Sequence, residues 1–177
     1  QEAEIRIGRE QTESLVRQVA GIEEFSSLMN QIDARYSVLS NWDVLINVKN
    51  RVQKNENTEL LSRNYDISGW EFTPGIRWRY SDRLQNGAQL TYGRKQDRSS
   101  VEGADLQAIR IQADGVYFFA EQLQFRYRGE YRNMSLTGQT SSLGEFELTD
   151  GAGLGSSWMW GVQLTWNVNE WVRTTFR

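Results

Sequence analysis

The sequence predicts an all-β protein whose strands form an antiparallel up-and-down sheet. Two observations support this prediction. Apolar and polar residues alternate with a period of two along most of the chain after residue 30, and short turns and long loops join the alternating segments in turn. A period of two places apolar side chains on one face of a strand and polar side chains on the other. No strand-helix-strand rhythm is present, so consecutive strands are expected to pair as hairpins.

The stretch WEFTPGIRWRYS, residues 70–81, shows the alternation most clearly. Every even position from Trp70 to Tyr80 is aromatic, aliphatic or proline, and charged or small residues fill the odd positions. Pro74 is the only proline of the chain and lies inside this strand. Because proline cannot donate a backbone hydrogen bond, we expect an edge strand, a bulge or one missing hydrogen bond at this position.

Seven further segments complete a set of eight predicted strands within residues 31–177. They cover residues 32–39, 42–53, 84–95, 107–119, 123–134, 158–168 and 171–177. The pair Asn86-Gly87 suits a two-residue hairpin turn, but a turn at residues 81–83 keeps the strand lengths matched and is preferred. A long loop rich in glycine, serine and threonine is predicted over residues 136–156.

Residues 1–30 are predicted to form a separate N-terminal segment ahead of the β-domain of residues 31–177. The sequence EIRIGR, residues 4–9, favours a short strand. From Glu13 to Met29, apolar residues recur at helical spacing, which predicts a short amphipathic helix or otherwise a long loop. Such a helix would pack on the rest of the domain, lie on a membrane surface or plug a pore.

Composition narrows the range of functions. The chain has 177 residues, a net charge of −3 and 24% charged residues, which fits one domain and does not favour nucleic-acid binding. Cysteine and histidine are both absent. Their absence removes disulfides, thiolate metal sites, the usual general base and the Ser-His-Asp arrangement. We therefore expect no catalytic residues, no cofactor and no metal, although the acidic segment GEFELTDGAG is a weak candidate for calcium.

Strand length favours lipid rather than a protein core behind the apolar faces. The predicted strands are mostly longer than the 5–6 residues that are typical of globular proteins, and a tilted membrane-spanning strand needs about 9–11. Ten residue steps separate Trp70 from Tyr80; at ~3.3 Å each and a tilt near 45°, they span roughly 23 Å, close to the ~25 Å apolar band of membrane barrels. The mean hydropathy of −0.64 does not contradict this, because only alternate residues would meet lipid.

Aromatic residues gather at the ends of the predicted strands, and the strand centres hold smaller apolar residues. Tryptophan and tyrosine favour the two membrane interfaces, where one side of the ring is wet and the other apolar. The predicted interface aromatics are Trp42, Trp70, Trp78, Tyr80, Phe119, Tyr131, Trp158, Trp160, Trp166 and Trp171. With short turns at one end and long loops at the other, they predict an antiparallel up-and-down transmembrane β-barrel. The alternative is a soluble all-β barrel or sandwich that binds an apolar ligand.

The hairpins FTPGIRWRYSDRLQNGAQLTYGR and GVQLTWNVNEWVRTTFR resemble bacterial outer-membrane β-barrel proteins, most closely the C-terminal barrel segments of large Bacteroidota-type surface proteins. The resemblance covers about residues 31–177. It implies an outer-membrane location in a Gram-negative bacterium, contact with lipid or lipopolysaccharide, and a porin-like, anchoring or scaffolding role. Such barrels usually end in a complete strand with a terminal aromatic, so the short strand ending in Phe176 and Arg177 implies missing strands or other subunits of a larger barrel.

On this prediction the polar strand faces line the lumen. The predicted lumen-facing charges are Lys49, Arg51, Glu71, Arg77, Arg79, Lys95, Arg110, Asp114, Arg126, Arg128, Glu130 and Arg132. Cations outnumber acids, so we expect a net positive interior. In a small closed barrel these charges would pair and fill the interior, whereas in a larger barrel they would favour anionic solutes.

Overall fold

The protein forms one nine-stranded antiparallel sheet in which every strand lies beside its neighbours in sequence. The computed structural model describes residues 2–18, 21–60, 63–99, 103–120, 122–167 and 173–176. The strands are β1 Ala3–Gln18, β2 Gly21–Leu39, β3 Trp42–Asn57, β4 Tyr65–Ser81, β5 Leu84–Asp97, β6 Ala104–Ala120, β7 Leu123–Gly138, β8 Gly155–Asn167 and β9 Arg173–Phe176, and one helix, α1, covers Ser142–Thr149. The predicted all-β, up-and-down fold is confirmed.

The N-terminal segment belongs to the sheet, so the predicted helix over Glu13–Met29 is wrong. All of β1 pairs with β2, including the residues that were expected to be helical. Of the apolar residues at helical spacing, Leu15 is 60% and Ile22 42% exposed, whereas Phe25 packs at the edge of a small core. Most helices in proteins are stabilised by burying an apolar stripe along their length, and this segment buries no such stripe. The hairpin instead satisfies its backbone groups by pairing.

The turn between β4 and β5 lies at residues 82 and 83, as preferred, and Asn86-Gly87 lies inside β5. The hydroxyl of Ser81 accepts hydrogen bonds from the backbone N–H groups of Arg83 and Leu84, both at 3.2 Å. These two bonds stabilise the tight turn. Asn86 therefore lies inside β5, where it pairs with Gly115 of β6.

Pro74 interrupts one side of β4. The ladder with β5 pairs Phe72 with Tyr92 and Gly75 with Gln89, and it leaves out Thr73 and Pro74. The register is the same on both sides of the gap, so the missing pairs do not form a bulge. The prediction of a missing hydrogen bond is therefore confirmed, but the edge-strand alternative is wrong because β4 lies between β3 and β5. A hydrogen bond of 3.0 Å between the hydroxyls of Thr73 and Thr91 bridges the gap.

The two faces of the sheet have the opposite burial to that of a soluble protein. One face, here called the apolar face, carries Val44, Ile46 and Val48 of β3, and all three are exposed. The other, the polar face, carries alternate residues that include Asp43 and Glu130, which are only 6% and 5% exposed. Soluble proteins bury their apolar face against a core, so this sheet is inverted over most of its length.

The apolar face forms a band whose loop-side border steps from strand to strand. The border is marked by Trp70 on β4 and by Trp158 on β8. The pairing register places Trp158 in line with Tyr131 and Ile111, and in turn with Pro74 of β4, four residues from Trp70. Four residues at ~3.3 Å over four strand spacings of ~4.8 Å correspond to a strand tilt of about 35°. Such a tilt is typical of strands in barrels.

Beyond this border the strands extend towards the long loops and become polar on the apolar face. On β3 the band gives way to Lys54 and Glu56, and on β5 to Arg94 and Gln96. In this extension the polar face carries a small apolar core instead. It comprises Tyr65, Ile67, Ala104, Leu106, Met134 and Leu148, with Phe25, Ala108, Leu136, Leu143 and Ala152 packed against it.

The sheet is open in the part of the chain that the structure describes. Here β1 pairs only with β2, and β9 pairs only with β8 through residues 173–176. A closed barrel is therefore a prediction that this sheet does not test. Nine strands in alternating order leave β1 and β9 running in the same direction.

Candidate functional site on the polar face

A continuous polar trough runs along the polar face. It consists of adjoining cavities of about 250, 540 and 1120 Å³. Lys49, Glu71 and Arg110 line both of the first two cavities, and Gln89 lines the second and the third. The trough therefore extends from the region below α1 towards the short turns. Its size and lining suit water and small polar solutes rather than an apolar ligand.

All twelve charges that were predicted to share one face do lie on the polar face. Ten of them line the trough or the pocket beside it under α1: Lys49, Arg51, Glu71, Arg77, Lys95, Arg110, Asp114, Arg126, Arg128 and Arg132. Glu130 lies among these side chains, and Arg79 lies on the same face of β4 near Asp43. That this face lines a membrane lumen remains a prediction.

Some of these charges neutralise one another. The buried carboxylate of Glu130 accepts hydrogen bonds from Arg128 at 3.1 Å and from Arg132 at 2.9 Å. Lys95 forms an ion pair of 2.7 Å with Asp150, which follows α1. These contacts match the alternative in which interior charges pair with each other.

Three cations in the part of the trough below α1 are not neutralised in this way. Lys49, Arg51 and Arg110 form no ion pair with any residue in the described ranges. The Nε atom of Arg51 is buried and has no hydrogen-bond partner among the described atoms. Arg110 is also paired across the ladder with Arg132, another cation. The loop-side end of the trough therefore has an excess of positive charge.

The lack of a side chain at Gly69 makes room for these long side chains. Gly69 lies between Arg51 and Lys95 in the cross-strand register. A Cβ atom at Gly69 would lie only 2.7 Å from Cγ of Lys95. The absence of a side chain at this position lets Lys95 lie across the sheet towards Asp150.

Helix α1 closes the loop end of the trough, and the sequence analysis missed it. Leu148 of α1 is fully buried in the apolar core, and Thr149 and Asp150 line the pocket beside the trough. Ser141 caps the helix by accepting a hydrogen bond of 3.0 Å from the backbone N–H of Gly144. Asp150 ends it in the left-handed conformation with φ 52°. A serine cap followed nine residues later by Asp-Gly was the signal that could have indicated the helix.

Asp97 fastens the loop that leads into α1. Its carboxylate accepts hydrogen bonds from the backbone N–H groups of Asp66 at 3.0 Å and Ser99 at 2.9 Å, and from the hydroxyl of Thr140. Burial alone would raise the pKa of Asp97, but these hydrogen bonds outweigh it and hold the pKa below its ordinary value. Asp97 lies in the extension, beyond the border of the apolar band.

The predicted interface aromatics lie on the apolar face wherever the structure describes them, and several are in contact. Trp42 and Trp78 stack with ring centroids 5.7 Å apart at the turn side of the band. Tyr131 and Trp158 lie 4.6 Å apart at the loop side. The remaining ones are Trp70, Tyr80, Phe119, Trp160 and Trp166, all exposed. Trp171 lies outside the described residues. Their contact with a membrane remains a prediction.

Comparison with known proteins does not assign a family. No family model matches this chain, and no curated protein has a matching sequence. None of the described helices is long and apolar enough to cross a membrane. Within the described ranges, no three Asp or Glu side chains are grouped so that they could hold a metal ion. In the candidate calcium segment, Asp150 pairs with Lys95 instead.

Proposed function

We propose that this chain forms the wall of a non-enzymatic outer-membrane β-barrel, with its apolar face in lipid and its polar face lining a water-filled interior. The observation that carries this proposal is the exposed apolar band, with aromatic residues at both borders and a border that steps by four residues over four strands. A band perpendicular to a membrane crosses tilted strands in such steps.

The burial of the two faces supports the same conclusion. Soluble monomers rarely expose a contiguous apolar surface larger than a few hundred Å². Here the apolar face is exposed on successive strands, with Ile76, Leu90, Ile111 and Val162 near its centre. A soluble protein that binds an apolar ligand would need these residues inside, and the trough on the other face is charged.

The trough favours a porin-like role over a purely anchoring or scaffolding one. Charged and amide side chains line most of it from the region below α1 to the turn end, and the third cavity also reaches Trp160 and Val162 of β8. Helix α1 covers its loop end, as inward-folded segments do in plugged barrels. We expect the segment at residues 139–154 to restrict passage rather than to line an open channel.

Barrel closure would require strands beyond these nine. Unpaired backbone groups at a sheet edge are not tolerated in the hydrocarbon region. Bacterial single-chain barrels contain an even number of antiparallel strands, whereas β1 and β9 run in the same direction. Antiparallel closure therefore requires an odd number of additional strands between them, from another subunit or from other parts of a larger barrel.

The membrane location is tested by folding the chain with and without lipid. The chain is isolated in detergent together with the strands that complete its barrel, transferred to vesicles of outer-membrane lipid, and analysed by flotation and by gel mobility before and after heating. We expect it to float with the vesicles and to change mobility on heating. A chain that stays folded and monomeric in plain buffer would overturn the proposal.

The pore role has a separate test in planar lipid bilayers. The complete barrel that contains this chain is compared with a variant barrel in which a short Gly-Ser linker replaces residues 139–154. We expect discrete conductance steps that are larger in the variant, since α1 no longer covers the trough. Membrane insertion without conductance in either protein would instead favour an anchor or scaffold.

A further inference from the structure

We infer that the loop-side end of the trough is a binding site for a small oxyanion that carries more than one negative charge, such as a phosphorylated or polycarboxylate solute. The site is the cavity of about 250 Å³ below α1. It is lined by four cations, Lys49, Arg51, Lys95 and Arg110, and by two acids, Glu71 and Asp150. It does not depend on membrane insertion, because it lies on the polar face.

The cavity keeps more positive than negative charge after its internal ion pair is counted. Asp150 is occupied by Lys95 at 2.7 Å, so Glu71 is the other acid among the lining residues. Glu71 pairs across the ladder with Lys49 but forms no ion pair with any described residue. Arg51 and Arg110 therefore face the cavity without a close ion pair in the described chain, although Arg110 is near enough to Glu130 to be attracted by its charge. An anion would supply the missing negative charge.

The geometry of Arg51 also favours an oxyanion in this cavity. Its Nε is a buried donor without a described partner. A guanidinium presents its donors in a planar fork that matches the oxygens of phosphate and carboxylate groups. An oxyanion in the cavity would accept from this fork and satisfy the buried donor. Chloride, a single sphere, cannot match the fork in the same way.

Arg110 is a second cation of this cavity that forms no close ion pair. Arg110 lies directly opposite Arg132 on β7, and like charges in such a cross-strand pair repel. Glu130 forms an ion pair of 2.9 Å with Arg132, but it forms none with Arg110. Arg110 also lines the adjoining cavity of about 540 Å³, so an anion travelling along the trough would meet this cation before Arg51.

The cations also follow the slope of the apolar border across the sheet. Arg51 and Lys95 lie in one cross-strand row through Gly69, and Arg110 and Arg132 lie in a row four residues closer to the turns. This step towards the turns has the same direction as the step of the apolar border. The cations therefore form an arc below α1 at the loop-side end of the trough, which would attract anions that enter the trough.

The inference is tested by isothermal titration of the folded, detergent-solubilised full chain with inorganic pyrophosphate and, separately, with citrate. We expect binding of at least one of them in the range up to about 1 mM, and weaker binding as sodium chloride is raised. The two titrations distinguish phosphate from carboxylate chemistry. If neither anion produces a saturable signal at low salt, the inference is wrong.

Variants locate the site. Arg51→Gln and Arg110→Gln are each expected to weaken the affinity about tenfold or more, and Arg51→Lys to weaken it less because it keeps the charge and loses the fork. Arg83→Gln makes the same charge change at an exposed turn at the other end of the sheet and is expected to bind like the wild type. Equal weakening in Arg83→Gln and Arg51→Gln would show nonspecific attraction and overturn the assignment.

A measurement on the wild-type chain covers the case in which a variant fails to fold. Modification of lysines by a water-soluble acylating reagent is followed by mass spectrometry with and without pyrophosphate or citrate. We expect the anion to protect Lys49 and Lys95, which line the cavity, and not Lys54, which lies on the other face. Uniform modification of all three despite bound anion would contradict the site.

Discussion

The hydroxyl of Tyr127 donates a hydrogen bond to Oδ1 of Asn86, across the intervening strand at Gly115. Asn86 is buried on the apolar face, where an amide would otherwise lack a partner. The Tyr127 ring covers the space that a side chain at residue 115 would occupy. One aromatic side chain thus fills a gap and satisfies a polar group in the same place.

Gly115→Ala is expected to destabilise the fold. A Cβ atom at this position would lie 2.5 Å from the Tyr127 ring and 2.6 Å from Oδ1 of Asn86. Overpacking of this kind costs about 1–3 kcal/mol. Gly129→Ala is the matched control, because a Cβ atom there meets nothing within 4 Å. The free energies of unfolding in detergent and denaturant, followed by tryptophan fluorescence, are compared. Equal stability of the two variants would contradict the packing described.

Tyr127→Phe is expected to lower the unfolding free energy by about 1–3 kcal/mol, because it leaves a buried amide oxygen unsatisfied. The same fluorescence measurement applies. Tyr92→Phe serves as the control, since Tyr92 contacts Trp70 through its ring, and its hydroxyl makes no hydrogen bond with the described residues. A loss of similar size in both variants would assign the effect to the ring environment rather than to the hydrogen bond.

Ile46→Arg tests the apolar band directly. Ile46 lies on the apolar face of β3, opposite Pro74, and Val52 lies on the same face beyond the border. In lipid, an arginine at mid-depth costs about 2–4 kcal/mol and one near the interface about 0–1 kcal/mol. We expect Ile46→Arg to reduce the stability measured in vesicles far more than Val52→Arg. Similar stabilities would place no lipid against Ile46.

The loop that carries α1 should loosen in acid. The pKa of Asp97 is lowered in the folded state, so its stabilising contribution is present above about pH 4, the usual aspartate range, and is lost as pH falls through the folded value. Limited proteolysis of residues 139–154 between pH 7 and pH 2, with an acid-stable protease, measures this. We expect cleavage to accelerate in acid.

Asp97→Asn is the companion variant. It should lose most of that acid response and be cleaved faster at neutral pH, because charge-assisted hydrogen bonds to a carboxylate contribute about 1.5–3 kcal/mol. Asp82→Asn, in an exposed short turn, is expected to behave like the wild type. Unchanged cleavage of Asp97→Asn at neutral pH would show that Asp97 does not hold the loop.

The sequence was sufficient to predict the strands that obey one period throughout. Most strand segments from β3 to β8 and the turn at residues 82 and 83 follow from alternation and turn chemistry. The effect of Pro74 was also predictable, because the missing N–H does not depend on the surroundings. The helix over Glu13–Met29 was predicted wrongly because helical spacing without a core to pack against is weak evidence.

The site depended on information that alternation does not contain. Which cations are neutralised is decided by register and by α1, as the contacts of Lys95 with Asp150 and of Arg132 with Glu130 show. That the Nε of Arg51 is buried without a partner depends on the side chains packed around it, which no local pattern reveals. Sequence reasoning could place these side chains on one face but could not pair them.

The small core under α1 changes how such a sequence can be read. On β4, apolar residues occupy odd positions up to Ile67 and even positions from Trp70 onwards, and on β6 the parity changes between Leu106 and Ile109. Each strand thus follows the rule for a protein surrounded by water at one end and the inverse rule at the other. If the band lies in lipid as proposed, the residue at which the parity changes marks, within the bare sequence, the level at which the surroundings of the sheet change.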